Sequence, residues 1–473
     1  MVRSRKLAGL ALAAALAIGG LTASTADASA SSCGGSGAVT TLNGTLPDGA
    51  TYRIQCPAGA WNGTLYLYSH GYVVPGAANP AQDVGDPVTG AWMLSQGYAL
   101  AGSSYSTTGW AIAQALPDQI STLNAFGSTY GQPKTTVAWG HSLGGIITAG
   151  LLQDYPNRFD AALPMCGVLS GGVATWNTAL DGAFAFQQLI DPKVQVVNIT
   201  DPTTNLQGAE AAVAAAQQTP QGRARLALVA ALGDTPGWFT PLSTEPAATD
   251  YAAQEANQYL WASQVTFPFV FAFRTDLQAK AGGNPSWNTG VNYFSDLAKS
   301  VDVKEVKALY QAAGLNLGQD VQTLNSSPRI SADPTATAWL ARNISFNGDI
   351  GVPVLTMHTT GDGLVVPENE QAYRSAVDQA GHGNLLRQVF VNRAGHCAFT
   401  PAETITAVQT LENRMSTGQW NVPSPAAMNA QAAALGPDYN IFLSGSTVVP
   451  TPPAFISYTP ARYLRPFNLF PRF

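Results

Sequence analysis

The run TTVAWGHSLGGIITAGLLQDY, residues 135–155, holds the clearest structural signal in the chain. Its β-branched and aromatic beginning, Thr135–Trp139, predicts a strand, and the apolar spacing of Leu143–Tyr155 predicts a helix that follows almost without a loop. The GxSxG pattern within Gly140–Gly145 therefore predicts a sharp strand-to-helix turn that lifts Ser142 above the edge of a sheet as a nucleophile. A bare GxSxG also occurs in ordinary loops, so the strand before it and the helix after it carry the prediction.

The same alternation of short apolar runs and longer amphipathic runs continues on both sides. It predicts an α/β fold in which a mostly parallel sheet is covered by helices on both faces. The predicted strands are Thr51–Cys56, Thr64–Ser69, Ala99–Tyr105, Thr135–Trp139, Val352–Thr359 and Leu385–Val391. The predicted helices of this unit are Thr89–Gln96, Trp110–Phe126, Leu143–Tyr155, Glu368–Ala380 and Pro401–Met415.

The middle of the chain has a different composition. It is rich in Ala and Gln, it contains helix-forming runs at Ala209–Gln218 and Gly222–Leu232, and its one strand-like pattern is the alternation of phenylalanines over Phe267–Phe273. We interpret residues 169–346 as a mainly helical cap inserted between core strands, with the core formed by residues 31–168 and 347–420. Residues 421–473, rich in proline and aromatic residues, are expected to be an irregular extension packed on the surface.

The first thirty residues have the three parts of a signal peptide. Three basic residues precede an apolar run, Leu7–Leu21, and Ala28–Ala30 supplies small residues where a signal peptidase cuts. We expect residues 1–30 to be removed before Ser31 and the protein to be secreted, without a stable membrane anchor. A short retained N-terminal helix is the alternative.

The net charge and the cysteine content limit the partners, disulfides and cofactors that this chain is expected to have. The net charge of −6 becomes −8 without the leader, because the leader holds three basic residues and one acidic residue, and this excludes a nucleic-acid partner. Four cysteines in an exported chain predict two disulfides in one of three pairings, with free buried thiols as the alternative. No Cys/His cluster has metal-ligand spacing and no nucleotide or flavin motif is present, so we expect neither metal nor cofactor.

A serine hydroxyl needs a base to become a nucleophile. His396, in the run RAGHC just past the last core strand, is the histidine that a loop can bring onto Ser142. The other histidines lie in a tight turn, in the elbow itself, within a predicted strand and in a likely surface turn: His70, His141, His358 and His382.

The base in turn needs a carboxylate that fixes its tautomer. Asp362, in TTGDG, directly follows the strand Val352–Thr359 and therefore lies at the same edge of the sheet, although an aspartate between glycines is also typical of an ordinary turn. Two backbone N–H groups should hold the oxyanion. We assign them to Leu143, which follows the nucleophile, and to Tyr72, in the HGY turn after the strand Thr64–Ser69.

The elbow, the HG turn, the Gly-Asp turn and the late histidine together resemble the α/β-hydrolase superfamily, over Thr51–Gly167 and Val352–Gly418. The runs YSHGY, residues 68–72, and LPMCG, residues 163–167, resemble uncharacterised secreted hydrolases of actinobacteria. In the superfamily the strand after the elbow helix ends beside the nucleophile, which implies pairing of Cys166 with Cys397 and leaves Cys33 with Cys56. The first bridge would hold the His396 loop against the sheet, as in secreted feruloyl esterases and tannases, although those enzymes have cysteine where His141 precedes the serine here.

These features favour hydrolysis of a carboxylic ester, from a small molecule or released from a polymer, through an acyl-enzyme. A capped serine peptidase is the second hypothesis, since Glu245, Asp250 and Glu255 could hold a substrate amine, although a solvated helix face is the more common role of such residues. A catalytically inactive binding protein is the third. Tyr105 and Trp110 follow a core strand and are the candidate substrate-binding residues; the cap aromatics are expected mostly to form the core of the cap: Trp176, Phe184, Phe186, Trp238, Trp261 and Trp287.

Overall fold

The computed structural model describes residues 32–445 and 447–467, so the expected signal peptide lies outside the described residues. The strands are β1 Thr40–Thr45, β2 Thr51–Cys56, β3 Thr64–Ser69, β4 Ala99–Ser103, β5 Thr135–His141, β6 Ala161–Met165, β7 Val354–Gly361, β8 Leu386–Ala394, β9 Ile441–Ser444, β10 Thr447–Pro450 and β11 Phe455–Ile456.

The helices alternate with the core strands and then fill the middle of the chain. They are α1 Pro87–Ser95, α2 Ile112–Tyr130, α3 Leu143–Asp154, α4 Gly172–Leu189, α5 Pro202–Ala216, α6 Pro220–Leu232, α7 Tyr251–Trp261, α8 Arg274–Ala281, α9 Tyr293–Lys299, α10 Val303–Ala312, α11 Leu317–Ser326, α12 Pro334–Arg342, α13 Glu368–Gln379, α14 Pro401–Thr417 and α15 Pro425–Ala434. Two π-helical segments, Ala262–Thr266 and Phe269–Phe273, join α7 to α8.

The main sheet has nine strands in the order β1-β2-β4-β3-β5-β6-β7-β8-β11. The central strands from β4 to β8 run parallel, whereas β1, β2 and β11 pair antiparallel at the two edges. This order, with a strand-turn-helix crossing from β5 to α3, is that of the α/β-hydrolase fold, and the fold predicted from the sequence is confirmed. All parallel strands therefore end at one edge, where β3, β5, β7 and β8 deliver the residues singled out above.

Both faces of the sheet are covered, as the apolar character of its strands requires. On β3, Leu65 and Leu67 pack on one face with α2, α3 and α13, whereas Tyr66 and Tyr68 pack on the other face with α1, α14 and α15. The alternation has period two because successive side chains of a strand point to opposite faces. The core positions are fully enclosed, and this rigid layer fixes the loops at the strand ends.

The segment between β6 and β7 is helical and has a core of its own, which includes Phe184, Phe186 and Tyr293. The strand-like alternation over Phe267–Phe273 is wrong as a strand, because these residues form helical turns. Phe267 and Phe271 meet in an edge-on contact with a centroid distance of 4.8 Å, and Phe269 and Phe273 do the same at 5.5 Å. Residues four positions apart lie on the same face of a helix. The four alternating phenylalanines therefore also fit a helix, as two pairs with a spacing of four.

The C-terminal extension is more regular than expected. It contains α15, the hairpin of β9 and β10, and the short strand β11, which pairs with β8 at Val391 and Phe390. Pro425 occupies the first turn of α15, where a missing N–H costs nothing, whereas Pro452, Pro453 and Pro460 lie in irregular segments, as expected. Beyond β11 the chain returns to the helical segment, where Arg465 pairs with Asp181.

Two disulfides join Cys33 to Cys56 and Cys166 to Cys397, the two pairings expected from the sequence. The first closes the N-terminal segment onto β2, and the second joins the end of β6 to the loop after β8. Within residues 32–445 and 447–467 the longest apolar helices fall short of what crossing a bilayer requires.

Candidate active site

The turn between β5 and α3 has the geometry that the GxSxG pattern implies. Ser142 has a positive φ of 60° and a ψ of −122°, and α3 begins at the next residue. A Cβ atom on either Gly140 or Gly144 would overlap the carbonyl oxygen of Ser69 on the neighbouring strand, so neither position can accept a side chain. The glycines thus permit β3 and α3 to approach closely, and this packing holds Ser142 in a strained conformation with its hydroxyl raised above the sheet.

The side chain of His396 connects Ser142 to Asp362. His396 lies in the loop after β8, where Gly395 adopts a φ of +95°. Its Nε2 lies 2.7 Å from the Ser142 Oγ and its Nδ1 lies 2.7 Å from the Asp362 Oδ2. The three residues, separated by as many as 254 positions in the chain, therefore form a continuous hydrogen-bonded relay.

Asp362 is held rigidly and kept ionised. It is fully buried after β7, and the backbone amides of Leu364 and Val365 each donate to its Oδ1 at 3.0 Å. Burial alone would raise the pKa of Asp362, but the neighbouring rings of His396 and His358 lower that pKa to about 2. The carboxylate is charged at neutral pH and aligned with Nδ1 of His396.

A second histidine lies next to Asp362, and no role for it was evident from the sequence. His358 on β7 is fully buried, with Nε2 2.7 Å from the Val365 carbonyl oxygen and 3.6 Å from the Asp362 Oδ2, and Nδ1 3.0 Å from the Glu370 Oε1. Burial lowers the pKa of His358, but hydrogen bonds to Asp362 and Glu370 outweigh burial and raise that pKa to about 10. Polar residues at alternate positions of a fully buried strand, Thr356 and His358, are the signal that could have revealed this network.

The turn after β3 lies against Ser142. A Cβ atom on Gly71 would come within 3.4 Å of the Ser142 Cβ, so the backbone of this turn passes directly beside the nucleophile. Among the described residues, the amides of Leu143 and Tyr72 donate to no backbone or side-chain acceptor. Two free N–H groups next to Ser142, one of them at the N-terminus of α3, suit a developing negative charge.

The second disulfide touches the His396 ring. Cys397 immediately follows His396, and its Sγ lies 3.4 Å from the His396 Nε2. Both bridged residues have positive φ, 43° at Cys166 and 53° at Cys397, and the Cys166 amide donates to the Met357 carbonyl of β7 at 2.8 Å. The bridge ties the loop that carries His396 to the sheet edge beside Ser142.

His141, directly before Ser142, is a structural residue. Its Nδ1 lies 3.1 Å from the Tyr68 hydroxyl. Burial, helped by the charge of His396, lowers the pKa of His141 to about 4, so the ring is neutral at physiological pH. A neutral ring here adds no positive charge next to the relay.

A cavity of about 400 Å³ opens above Ser142, between the sheet edge and the helical segment. The residues that line it include Ser142, His396, Gly71, Tyr72, Trp110, Trp176, Phe269 and Phe271. Trp110, one of the two candidate substrate-binding residues, thus lines the cavity. Tyr105 does not line the cavity: its ring stacks on His70 at 4.0 Å and its hydroxyl donates to the His70 carbonyl, because a positive φ of 60° turns it back into the core.

The acidic residues considered for amine binding lie elsewhere. Asp250 caps α7 by accepting from the Ala253 amide, and Glu255 is buried against Gln217. Neither these two nor Glu245 is among the described residues that line the cavity. Of the cap aromatics, Trp176 lines the cavity, whereas Phe184 and Phe186 belong to the separate core of the helical segment.

The family model of a tannase-like family of unknown function (DUF6351) matches residues 43–358, more than half of the chain. The chain belongs to this tannase-like family. An o-phthalyl amidase from Xanthobacter agilis is 29% identical to the tannase-like chain over 422 residues, covering 83% of this chain and 90% of the relative.

Two solved structures align at lower identity. An esterase from Aspergillus oryzae has 11% identity and a TM-score of 0.44, over 88% of the tannase-like chain and 92% of the esterase. The rice cell wall degrading esterase LipA from Xanthomonas oryzae has 16% identity and a TM-score of 0.35, over 80% and 87% of the two chains. The assignment of the fold rests on the strand order of the chain itself.

Proposed function

We propose that this protein is a secreted serine hydrolase that cleaves carboxylic esters, with Ser142 as nucleophile, His396 as general base and Asp362 as the residue that orients the base. The observation that carries the proposal is the relay of two 2.7 Å contacts from Asp362 through His396 to Ser142. The relay opens into a cavity, so a substrate carbonyl can reach the hydroxyl.

Each step of the reaction has a residue to perform it. The Ser142 Oγ attacks the ester carbonyl carbon while its proton passes to the His396 Nε2, and the Asp362 carboxylate stabilises the resulting imidazolium. The amides of Leu143 and Tyr72 hold the oxyanion of the tetrahedral intermediate. The imidazolium then protonates the departing alkoxide, which leaves an acyl group on Ser142, and water activated by the same ring releases the acid.

Amide hydrolysis is the second candidate, and a specific observation favours it. The relative from Xanthobacter agilis, matched over most of both chains, is named as an o-phthalyl amidase. The same relay and oxyanion donors would serve an amide, provided that His396 protonates the departing nitrogen. Membership of the tannase-like family favours ester hydrolysis. Ester hydrolysis is also favoured because an alkoxide leaves more readily than an amide nitrogen. A serine peptidase and an inactive binding protein remain the weaker alternatives, because the three acidic candidates lie away from the cavity and the relay is intact.

Secretion is the remaining part of the proposal. The leader-like residues 1–30 motivate it, and the two disulfides support it, since disulfides persist in oxidising compartments. Mass spectrometry of the protein from a culture supernatant tests it. A mature chain that begins at Ser31 is the expected result, and retention of the whole chain inside the cell would contradict secretion.

The test of activity is turnover of paired p-nitrophenyl esters and p-nitroanilides with short aliphatic and aromatic acyl groups. We expect ester cleavage that Ser142→Ala lowers at least a thousandfold, whereas Ser128→Ala, at an exposed position on α2, leaves it unchanged. Ser142-dependent cleavage of anilides without esters would select the amidase. Absence of Ser142-dependent turnover of both classes would contradict the proposal.

A further inference from the structure

Arg274, the first residue of α8, is a buried cation without a counter-charge. Its side chain has no exposed surface, and Nε, Nη1 and Nη2 have no hydrogen-bond partner among the described residues. Burial lowers the pKa of Arg274 to about 9, so the guanidinium is still charged at neutral pH. Its contact is the face of Trp176, with the guanidinium carbon 5.3 Å from the ring centroid.

Arg393, the other arginine that is buried among the described residues, has very different surroundings. Arg393 on β8 makes a two-pronged ion pair with Glu403, at 2.7 and 3.0 Å, and also donates to the carbonyl oxygens of Ala398 and Pro452. The Arg393 guanidinium thus has both a counter-charge and carbonyl acceptors within the fold. A buried charge that lacks a partner strongly destabilises a fold, so Arg274 lowers the stability of this one.

Arg274 is connected to the cavity through Trp176, although Arg274 itself is not among the described residues that line it. Trp176 contacts the guanidinium and also lines the cavity. The Trp110 ring lies edge-on to the Trp176 ring with a centroid distance of 5.7 Å. The indole N–H groups of both tryptophans also lack an acceptor among the described residues. The nearest acidic residue along the chain, Asp276, is already occupied by Lys280 and by the Trp110 amide. The described residues that line the cavity include no carboxylate, so nothing there neutralises the charge behind Trp176.

We propose that the cavity accepts an aromatic acyl group that carries a second, free carboxylate, and that Arg274 is the residue that recognises this carboxylate. The inference rests on the proposed function, because it describes the acyl half of the substrate cleaved at Ser142. The aromatic ring packs among the aromatic walls, and the carboxylate accepts from the guanidinium fork.

Access to Arg274 requires a movement of one side chain. Since the guanidinium has no exposed surface, Trp176 must rotate to admit the carboxylate, and its unpaired indole N–H leaves no hydrogen bond to break. The ligand then offers acceptors to Arg274 and to the indole N–H groups together. Monoesters and monoamides of benzenedicarboxylic acids have this chemistry, whereas simple benzoate esters lack the anion.

Binding is measured first, without any chemistry. Ser142→Ala protein is titrated calorimetrically with isophthalate and with benzoate, which differ by one carboxylate. We expect isophthalate to bind at least about tenfold more tightly, as one charge-assisted contact is worth roughly ten- to a hundredfold. Arg274→Met should remove this preference without lowering the thermal unfolding temperature. Arg274→Gln is the second variant, with the same expectation, in case the first fails to fold. Arg225→Met, at a half-exposed arginine paired with Asp320, removes the same charge and should leave the preference intact.

Kinetics separate this proposal from the hydrolase proposal. The wild-type enzyme is assayed on p-nitrophenyl benzoate and on the mono-p-nitrophenyl ester of isophthalic acid. A higher kcat/KM for the second ester that collapses in the Arg274 variants supports the inference. Equal affinities and equal kcat/KM values in the wild-type protein, or a preference that survives in both Arg274 variants, would overturn it while Ser142-dependent cleavage of the benzoate ester stands. Isophthalate binding that depends on Arg274 in a protein that cleaves neither ester would instead keep the anion site and remove the hydrolase.

Discussion

Removing the disulfide beside the base should damage catalysis as well as stability, and the second disulfide provides a matched control. Replacing Cys166 and Cys397 by alanine opens a loop with a sequence separation of 231, whereas replacing Cys33 and Cys56 opens one of 23. In the chain-entropy model these loops correspond to about 5 and about 3 kcal/mol of unfolding free energy. The larger effect falls on the bridge that touches His396 through the 3.4 Å contact of Cys397.

Catalysis should distinguish the two variants more sharply than stability does. With the bridge gone, Gly395 at a φ of +95° is free to change conformation and the base loop loses its tie to β6. A displacement of about 1 Å in a catalytic group can lower the rate about a hundredfold. Chemical denaturation gives the stabilities, and kcat/KM on a p-nitrophenyl ester is measured at a temperature where both variants are folded. We expect a loss of one to two orders of magnitude for Cys166→Ala with Cys397→Ala and near-normal activity for the control. Full activity of the first variant in its folded state would refute the idea that the bridge positions the base.

Further expectations follow from the same contacts. Gly144→Ala should abolish correct folding or lower the thermal unfolding temperature sharply, since its Cβ would overlap the Ser69 carbonyl. The control Gly208→Ala, on the exposed face of α5, should stabilise the protein by about 1 kcal/mol. Equal effects of the two substitutions in thermal denaturation would be inconsistent with the crowded turn at Ser142. The pKa of His358 is near 6.5 in the unfolded chain and is raised to about 10 in the folded protein, so its stabilising contribution is complete below pH 6.5 and is lost as the pH rises towards 10. Urea unfolding should therefore show a free energy of unfolding that falls across this window in the wild type and falls less in His358→Gln. Parallel pH curves for the two proteins would argue against a charged His358. Asp362→Asn should lower kcat about ten-thousandfold with KM little changed, and a small kcat effect in steady-state kinetics would remove Asp362 from the relay.

The sequence could predict the core and the relay because both follow from local patterns. The apolar spacing of the sequence indicates most strands and helices of the sheet domain. Because parallel strands end at one edge of the sheet, the residues after β5, β7 and β8 could be expected to lie close together. The glycines flanking Ser142 are explained by a backbone approach that any α3 packed on β3 requires. Strand β1 escaped prediction because its residues, TTLNGT, lack an apolar alternation.

What the sequence could not supply depends on contacts between distant segments. The phenylalanine series of residues 267–273 fits a strand and a helix equally well from the sequence alone. In the structure Phe269 contacts Tyr72 and Phe267 contacts Phe186, and these partners lie in distant segments of the chain. Tyr105 follows a core strand, yet its positive φ turns it away from the cavity. The unpaired state of Arg274 is visible only when its surroundings are known, since a lone arginine in a helical run is ordinarily solvated.

The central claim is that Ser142, activated by His396, is the nucleophile. The most direct measurement is peptide mass spectrometry after exposure of the folded protein to a fluorophosphonate, which reacts with activated serines. We expect one label per chain, on the peptide that contains Ser142, and a strong reduction of labelling in His396→Ala. Labelling of a different residue, or an ester-cleaving protein in which Ser142 stays unmodified, would contradict the account.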